Sequence, residues 1–217
     1  MPSSNPEAIP AVVGLLMRLA PKNVLDIGAG YGKYGALFRE YLEMVHTQNS
    51  QLRQPGSTMW QKRLVRLDAV EGFSDYVGKL HYAVYDNVFI ENIFDFIKRQ
   101  WEYDLIFMGD MLEHVEKEPA INELIPALLP RARIGMVISV PACVAAQGAE
   151  FGNEMEVHRS RWDCADFHGM APFNYTGRKG NQIISFLTRD LQYYLIAREN
   201  TLRRKLRAIR RAVRDAW

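Results

Sequence analysis

The chain has 217 residues, of which 48% are hydrophobic, and a formal net charge of +2. This length and apolar content suit one α/β domain with a full core, and the chain is too short to form two such domains comfortably. No apolar run reaches the roughly 18 residues that span a bilayer, and the first residues lack the basic and apolar regions of a signal peptide. From these two observations we expect a cytoplasmic protein. The only cysteines, Cys143 and Cys164, are too few for a disulfide scaffold and do not have Cys-x-x-Cys spacing, so we expect reduced thiols.

The first informative stretch covers residues 22–32. A short apolar run of β type ends in Asp26 and then breaks into three alternating glycines, after which residues 34–42 carry apolar side chains at helical spacing. Glycines allow positive φ and let backbone N–H groups approach a ligand. Strand, glycine turn and helix together are typical of the nucleotide-binding opening of an α/β sheet. The carboxylate of Asp26, at the end of a buried strand, needs a partner that a bound ligand would supply.

Residues 24–32 resemble the first motif of class I S-adenosylmethionine-dependent methyltransferases, and the resemblance extends from about residue 10 to about residue 190. It implies an α/β, Rossmann-like, three-layer fold: a seven-stranded, mostly parallel sheet with a final antiparallel strand and helices on both faces. It implies S-adenosylmethionine as the cofactor. In that family this motif meets the amino acid portion of the cofactor, which assigns the role to Asp26, Gly28, Ala29, Gly30 and Gly32.

A second strand is predicted over residues 64–71 and ends in Glu71. An acidic side chain at this point is placed to accept hydrogen bonds from a ribose diol, and Glu71 also matches the ribose-binding residue of the family's second motif. The distance from the glycines exceeds the ~20 residues of a dinucleotide fingerprint, and a polar, turn-rich insertion over residues 47–58 explains the excess. A nicotinamide-binding Rossmann domain is the competing fold, but Asp26 and the later strand order favour the methyltransferase.

A third strand is predicted over residues 87–93. Asn92 and Ile93 fit the position at which the family contacts the edge and face of the adenine. The residues alone allow a second interpretation, in which Asn92 only forms the turn at the end of the strand.

The fourth strand, over residues 103–109, runs into Asp110, and Glu113 and His114 follow within one turn. Ligands of open α/β sheets bind beyond the carboxyl ends of the strands, so these side chains should face the crevice that also holds Asp26; we assign Asp110 to cofactor binding. The run resembles the fourth motif of small-molecule methyltransferases with a Leu-Glu-His triplet. With an ordinary pKa of about 6.5, His114 is a candidate general base.

Two alternatives stay open for this cluster. His114 can be a structural histidine that orients Glu113. A divalent ion on Asp110, Glu113 and His114 is suggested by the Glu-x-x-Glu-His pattern of some ubiquinone-type O-methyltransferases, but the first position here is Asp. From the sequence we therefore predict no metal ligands.

After a helix over residues 117–131 and a buried fifth strand over residues 134–141, the segment 149–166 is dense in polar and aromatic side chains. Its Glu-x-His-Arg-Ser-x-Trp run looks like a motif that follows the fifth strand in methyltransferases of this type. It places His158 and Trp162 near the acceptor, with His158 as a second candidate base. The alternative is a surface loop held by ion pairs. A hairpin over residues 173–188, with its turn at 177–181, then matches the last two strands of the family.

We divide the chain into a methyltransferase domain, residues 1–190, and a basic amphipathic helix, residues 191–217. Residues 198–217 hold eight basic and two acidic side chains. For this tail a protein partner or homodimer ranks first, an anionic membrane surface second and nucleic acid third, because interleaved aromatic residues for base stacking are absent.

The function predicted from the sequence is methyl transfer to a hydroxyl of a small molecule or sugar. The chain lacks the Asn-Pro-Pro-Tyr or Asp-Pro-Pro-Tyr signature of amino-group and nucleobase methylation, which disfavours a nucleic-acid substrate. The alternative is a catalytically silent cofactor-binding protein that acts on a partner through its basic tail.

Overall fold

The computed structural model describes residues 5–48, 63–142 and 147–198. Within these residues, all strands belong to one sheet: β1 (Asn23–Ile27), β2 (Arg66–Glu71), β3 (Asn87–Ile90), β4 (Tyr103–Gly109), β5 (Ala132–Pro141), β6 (Phe173–Lys179) and β7 (Gln182–Thr188). The strand order is β3-β2-β1-β4-β5-β7-β6. Strands β1 to β5 pair in parallel, whereas β7 lies between β5 and β6 and is antiparallel to both. The predicted fold class is confirmed.

Helices cover both faces of this sheet. They are α1 (Ile9–Leu19), α2 (Lys33–Gln48), α3 (Lys79–Val84), α4 (Ile93–Phe96), the composite helix α5 described next, and α6, residues 191–198. One buried cluster packs α1 and α2 on the sheet through side chains such as Val12, Leu16 and Phe38. A second cluster packs α4 and α5 on the opposite face through side chains such as Phe96 and Leu124. The layers are therefore helix, sheet and helix, as expected for this class.

Helix α5 changes its winding along its length. It consists of an α-helical turn (Lys117–Pro119), a π-helical segment (Ala120–Leu124), a second α-helical segment (Ile125–Leu128) and a final 3-10 turn (Leu129–Arg131). Pro126 has no amide hydrogen to donate to the preceding turn, which is a local reason for irregular winding. The sequence predicted a helix over the same residues, and the structure adds the changes of winding within it.

The hairpin is tighter than the sequence predicted. Strand β6 continues through Gly177 and Arg178, which pair with Ile184 and Ile183, and only Gly180 and Asn181 remain as the turn. Gly180 has a φ of +56°, the conformation that two-residue hairpin turns require. The predicted turn over residues 177–181 is therefore too long, because strand pairing overrides the turn preference of Gly177.

Two predictions fall mainly outside the described residues: the inserted loop over residues 47–58, and the basic tail beyond residue 198. The division at residue 190 stays a prediction, although residues 193, 196 and 197 of α6 pack against the same cluster as α1 and α2. Among the helices that the structure describes, none combines the length and the apolar character needed to cross a membrane.

Candidate active site

A cleft of about 740 Å³ opens beyond the carboxyl ends of the parallel strands. It collects side chains from β1, β2, β4 and the segment after β5, although these are far apart in the sequence. Of the site residues predicted from the sequence, the following line it: Asp26, Gly28, Ala29, Gly30, Glu71, Asn92, Ile93, Asp110, His114 and His158. Gly32 is not among the lining residues; a Cβ at this position would contact the ring of His81.

The glycine loop between β1 and α2 forms one wall of the cleft. Gly28 and Gly30 have φ values of +74° and +54°, which favour glycine. A Cβ on Gly28 would come within 2.8 Å of the Met111 side chain, so a larger residue would displace the loop or the turn after β4. The sequence pattern thus corresponds to a real steric requirement at Gly28.

Glu71 holds this loop in place. Its carboxylate accepts a hydrogen bond from the N–H of Gly30 at 2.8 Å and another from the N–H of Phe73 at 2.9 Å. Burial raises the pKa of Glu71, and these two N–H groups act in the opposite direction. The side chain therefore has a positioning role in addition to the ribose contact that the sequence resemblance predicts. Each carboxylate oxygen keeps a further lone pair for a ligand hydroxyl.

His81 fixes the same loop from the other side, and sequence reasoning missed it. The N–H of Gly78 donates to His81 Nδ1 at 3.1 Å, which leaves Nε2 protonated and able to donate to the carbonyl oxygen of Gly30 at 2.9 Å. Burial lowers the pKa of His81, so the neutral ring is the stable form at neutral pH. Its neighbours along the chain gave no signal for this contact, because Gly30 is 51 positions away.

Asp26 is 1% exposed and accepts a hydrogen bond of 2.5 Å from the hydroxyl of Tyr85. Burial raises the pKa of Asp26 to about 7, the Tyr85 hydrogen bond lowers it, and the charge of Glu71 raises it again. Asp26 therefore titrates near neutral pH when no ligand is bound to it. A cationic group in the cleft would favour the ionised form.

Tyr85 was also missed by sequence reasoning, although a signal existed. A Cβ at Gly35, in the first turns of α2, would lie only 2.2 Å from the Tyr85 ring. Glycine inside a helix costs stability and usually marks a close approach. Here it makes room for the ring that reaches Asp26.

Asn92 and Ile93 sit where α4 begins. The side-chain oxygen of Asn92 accepts the N–H of Phe94 at 2.9 Å, so Asn92 is the N-cap of α4. Both residues also line the cleft. The two interpretations left open by the sequence are thus compatible: Asn92 forms the turn and faces the ligand space.

Asp110 follows β4 in a left-handed conformation, with a φ of +49°. Its Oδ2 accepts the N–H of Asn5 at 3.1 Å, and the amide of Gln182, turned to donate, reaches Oδ1 at 3.0 Å. Asp110 therefore ties the N-terminal segment and the start of β7 to the mouth of the cleft. A non-glycine residue in this conformation is strained, which is frequent at functional sites.

At the far end of the cleft, Glu113 and His114 lie on a 3-10 turn after β4, and His158 comes from the segment after β5. The rings of His114 and His158 have centroids 5.0 Å apart. Burial, and then the neighbouring His158, lower the pKa of His114 to about 4. Burial, and then the charge of Asp110, raise the pKa of Glu113 well above its usual range.

Backbone contacts bring His158 to this turn. The carbonyl oxygen of Glu113 accepts the N–H groups of Arg159 at 2.7 Å and Ser160 at 3.0 Å. The hydroxyl of Ser160 donates to the carbonyl of Leu112, and the indole of Trp162 donates to that hydroxyl. The segment that contains His158 therefore lines the cleft and is held by buried hydrogen bonds to the turn after β4, rather than by surface ion pairs. Trp162 is buried and acts as an anchor away from the cleft lining.

Solved structures with a similar backbone have this arrangement of sheet and helices. DhpI in complex with S-adenosylhomocysteine aligns with a TM-score of 0.56 at 14% identity, over 82% of each chain. The chain has a methyltransferase fold. An O-methyltransferase family protein from Burkholderia thailandensis aligns with a TM-score of 0.53 at 14% identity, over 83% of this chain and 56% of that protein. No protein-family model and no curated protein matches the sequence, and at such low identity the similarity establishes the fold alone.

Proposed function

We propose that the protein is an S-adenosylmethionine-dependent methyltransferase that methylates a hydroxyl group of a small molecule or sugar. The observation that carries the proposal is a single cleft, in a methyltransferase fold, with two chemically different ends. One end has the glycine loop, Asp26 and Glu71. The other has Glu113, His114 and His158. The bound S-adenosylhomocysteine in DhpI supports the choice of cofactor.

At the cofactor end, the groups match the parts of S-adenosylmethionine. Asp26 would accept a hydrogen bond from the cofactor's ammonium group, which favours the carboxylate form. Glu71 would accept the ribose hydroxyls, and Asn92 with Ile93 would contact the adenine. The loop from Gly28 to Gly30 would leave room for the amino acid portion of the cofactor.

The transfer itself requires alignment and removal of one proton. When bound, S-adenosylmethionine would supply a sulfonium methyl group: the acceptor oxygen would attack it in line, forming the C–O bond as the C–S bond breaks, with S-adenosylhomocysteine as the leaving group. Because the sulfonium is intrinsically reactive, the protein contributes mainly by positioning the two reactants. The hydroxyl proton would pass to an imidazole nitrogen of His114 or His158, whose ring centroids lie 5.0 Å apart.

The cleft walls favour a partly apolar acceptor of small size. Met111, Val115, Pro119 and Pro141 are apolar residues that line the cleft. The volume of about 740 Å³ lies within the range of small-molecule sites. Cytoplasmic location and a partner for the basic tail remain predictions from the sequence.

The test has two stages. Calorimetric titration with S-adenosylmethionine, S-adenosylhomocysteine and NAD identifies the cofactor, and an Asp26→Ala variant locates it. Formation of S-adenosylhomocysteine is then followed across a panel of phenols, catechols, sugars and hydroxy acids, with amines as the contrasting set. Binding of NAD alone overturns the proposal. Binding of both adenosyl ligands without turnover on any panel would favour the silent cofactor-binding protein.

A further inference from the structure

The polar end of the cleft has the composition of a metal site. Each of Glu113, His114 and His158 offers a ligand atom, and these three atoms lie within 4.8 Å of one another. Three ligands this close can meet one cation after small side-chain rotations, because metal bonds to imidazole nitrogen and carboxylate oxygen are about 2.0–2.2 Å long. All three residues line the open cleft, so a cation there would be reachable from the ligand space.

An independent observation comes from the carboxylate of Glu113. The side chain is 2% exposed, and its Oε2 has no hydrogen-bond partner among the described residues. A buried carboxylate oxygen without a partner is costly. The surrounding backbone nevertheless holds Glu113 in place, since its carbonyl oxygen accepts two N–H groups from residues 159 and 160. The fold therefore maintains an oxygen that lacks a protein donor, which indicates a ligand.

The ring of His114 makes a backbone contact of the kind that metal-binding histidines make. Its Nδ1 faces the carbonyl oxygen of Val157 at 3.4 Å, a long contact that favours a proton on Nδ1 and leaves the lone pair on Nε2. Metal-binding histidines commonly donate their second ring N–H to a backbone carbonyl in this way. Val157 immediately precedes His158, so one short stretch of chain supplies both an orienting carbonyl and a ligand.

We propose that Glu113, His114 and His158 bind a divalent first-row cation such as Zn²⁺ or Mn²⁺ at the acceptor end of the cleft. Two imidazoles and one carboxylate suit these ions better than Mg²⁺ or Ca²⁺, which prefer oxygen ligands. Three protein ligands leave coordination positions open, as catalytic sites do. The site differs from the expectation of no metal, and from the alternative set that included Asp110, whose two oxygens face Asn5 and Gln182 instead.

The consequence for catalysis deepens the proposed function and rests on it. A cation held there would lower the pKa of an acceptor hydroxyl that reaches it. His114 and His158 would then act as ligands, and the hydroxyl proton would pass to water rather than to an imidazole. Acceptors with two neighbouring oxygens, such as catechols or vicinal diols, would gain most, because they can fill two open positions.

The test measures metal binding directly, without cofactor or acceptor. The full-length, untagged chain is stripped with a chelator and titrated with Zn²⁺, Mn²⁺ and Mg²⁺ by calorimetry, and with Co²⁺ by visible absorption. We expect one Zn²⁺ or Mn²⁺ per chain, weaker Mg²⁺ binding, and Co²⁺ bands of a site with nitrogen and oxygen ligands. Glu113→Gln and His158→Gln should each weaken binding by about tenfold or more.

Matched controls keep the result interpretable. Glu154→Gln removes a cleft carboxylate outside the cluster, and His168→Gln removes an exposed histidine; neither should change the Zn²⁺ affinity. An unchanged circular dichroism spectrum and melting temperature show that each variant is folded, and the Co²⁺ spectrum of the wild-type chain is measured without any variant. Wild-type binding no tighter than that of the Glu113→Gln/His158→Gln double variant, or Co²⁺ bands without nitrogen ligation, overturns the proposal. Because no turnover is involved, this outcome is separate from failure of the methyltransferase proposal.

Discussion

The two ends of the cleft differ in how their buried polar groups are satisfied. At the cofactor end the protein supplies the partners: Tyr85 donates to Asp26, and Gly30 and Phe73 donate to Glu71. At the acceptor end, Glu113 keeps an oxygen without a partner among the described residues. The first end is organised before any ligand arrives, whereas the second depends on a ligand to complete it. This contrast is what the following predictions test.

The largest effect is expected at the acceptor end. His158→Ala should lower kcat by roughly 10²–10⁴-fold, because it removes a group that acts on the acceptor as a base or as a ligand. S-adenosylhomocysteine affinity should stay the same within error. The rate is measured with the acceptor that the panel identifies, and His168→Ala is the control. Equal losses of rate and cofactor affinity would show that the two ends are not separable.

At the cofactor end, Asp26→Ala should weaken S-adenosylhomocysteine binding by about 100-fold or more, since a desolvated charge pair is lost. Calorimetry gives the dissociation constant. 5′-Methylthioadenosine, which lacks the ammonium group, serves as the control ligand and should bind the variant nearly as well as the wild type. A uniform loss for both ligands would indicate that the loop has collapsed rather than that a specific contact is missing.

A smaller effect is expected for Tyr85→Phe, which keeps the ring and removes the hydroxyl. Hydrogen bonds to charged groups contribute about 1.5–3 kcal/mol, so affinity at pH 7 should fall roughly 10–100-fold. The loss arises because the pKa of Asp26 rises further and the carboxylate must be ionised to bind an ammonium group. Raising the pH to 9 should recover part of the affinity. A loss that is the same at both pH values would contradict this account.

The smallest effect is the pH dependence of the wild-type chain. The pKa of Asp26 is raised to about 7 in the folded protein without ligand, and a bound ammonium group would lower it. Affinity for S-adenosylhomocysteine should therefore fall as the pH drops below 7, by about tenfold between pH 8 and pH 6. Asp26→Asn should abolish this dependence. Titrations at three pH values in one buffer series are sufficient, and an affinity that rises toward acid would refute the assignment.

Local sequence patterns were sufficient to predict the sheet and the position of the site on it. The apolar run that ends at Asp26, the glycines after it and the apolar strand before Asp110 each reflect burial or backbone geometry within a few residues. They predicted the sheet and the edge where the site lies. They predicted a hairpin turn that is too long, because the neighbouring strand decides that Gly177 pairs with Ile184.

The sequence by itself determined the strands, their polar ends and the glycine loop, since these depend on the nearest residues and on the period of the side chains. Only the tertiary structure decided which polar groups meet. Tyr85 is 59 positions from Asp26, and the segment of His158 reaches the turn of Glu113 through backbone contacts. Such contacts depend on strand order and on the path of long connections. No periodic pattern in the sequence predicts either of them. The physical reason is that burial is encoded locally, whereas the choice of hydrogen-bond partner is made by the whole fold.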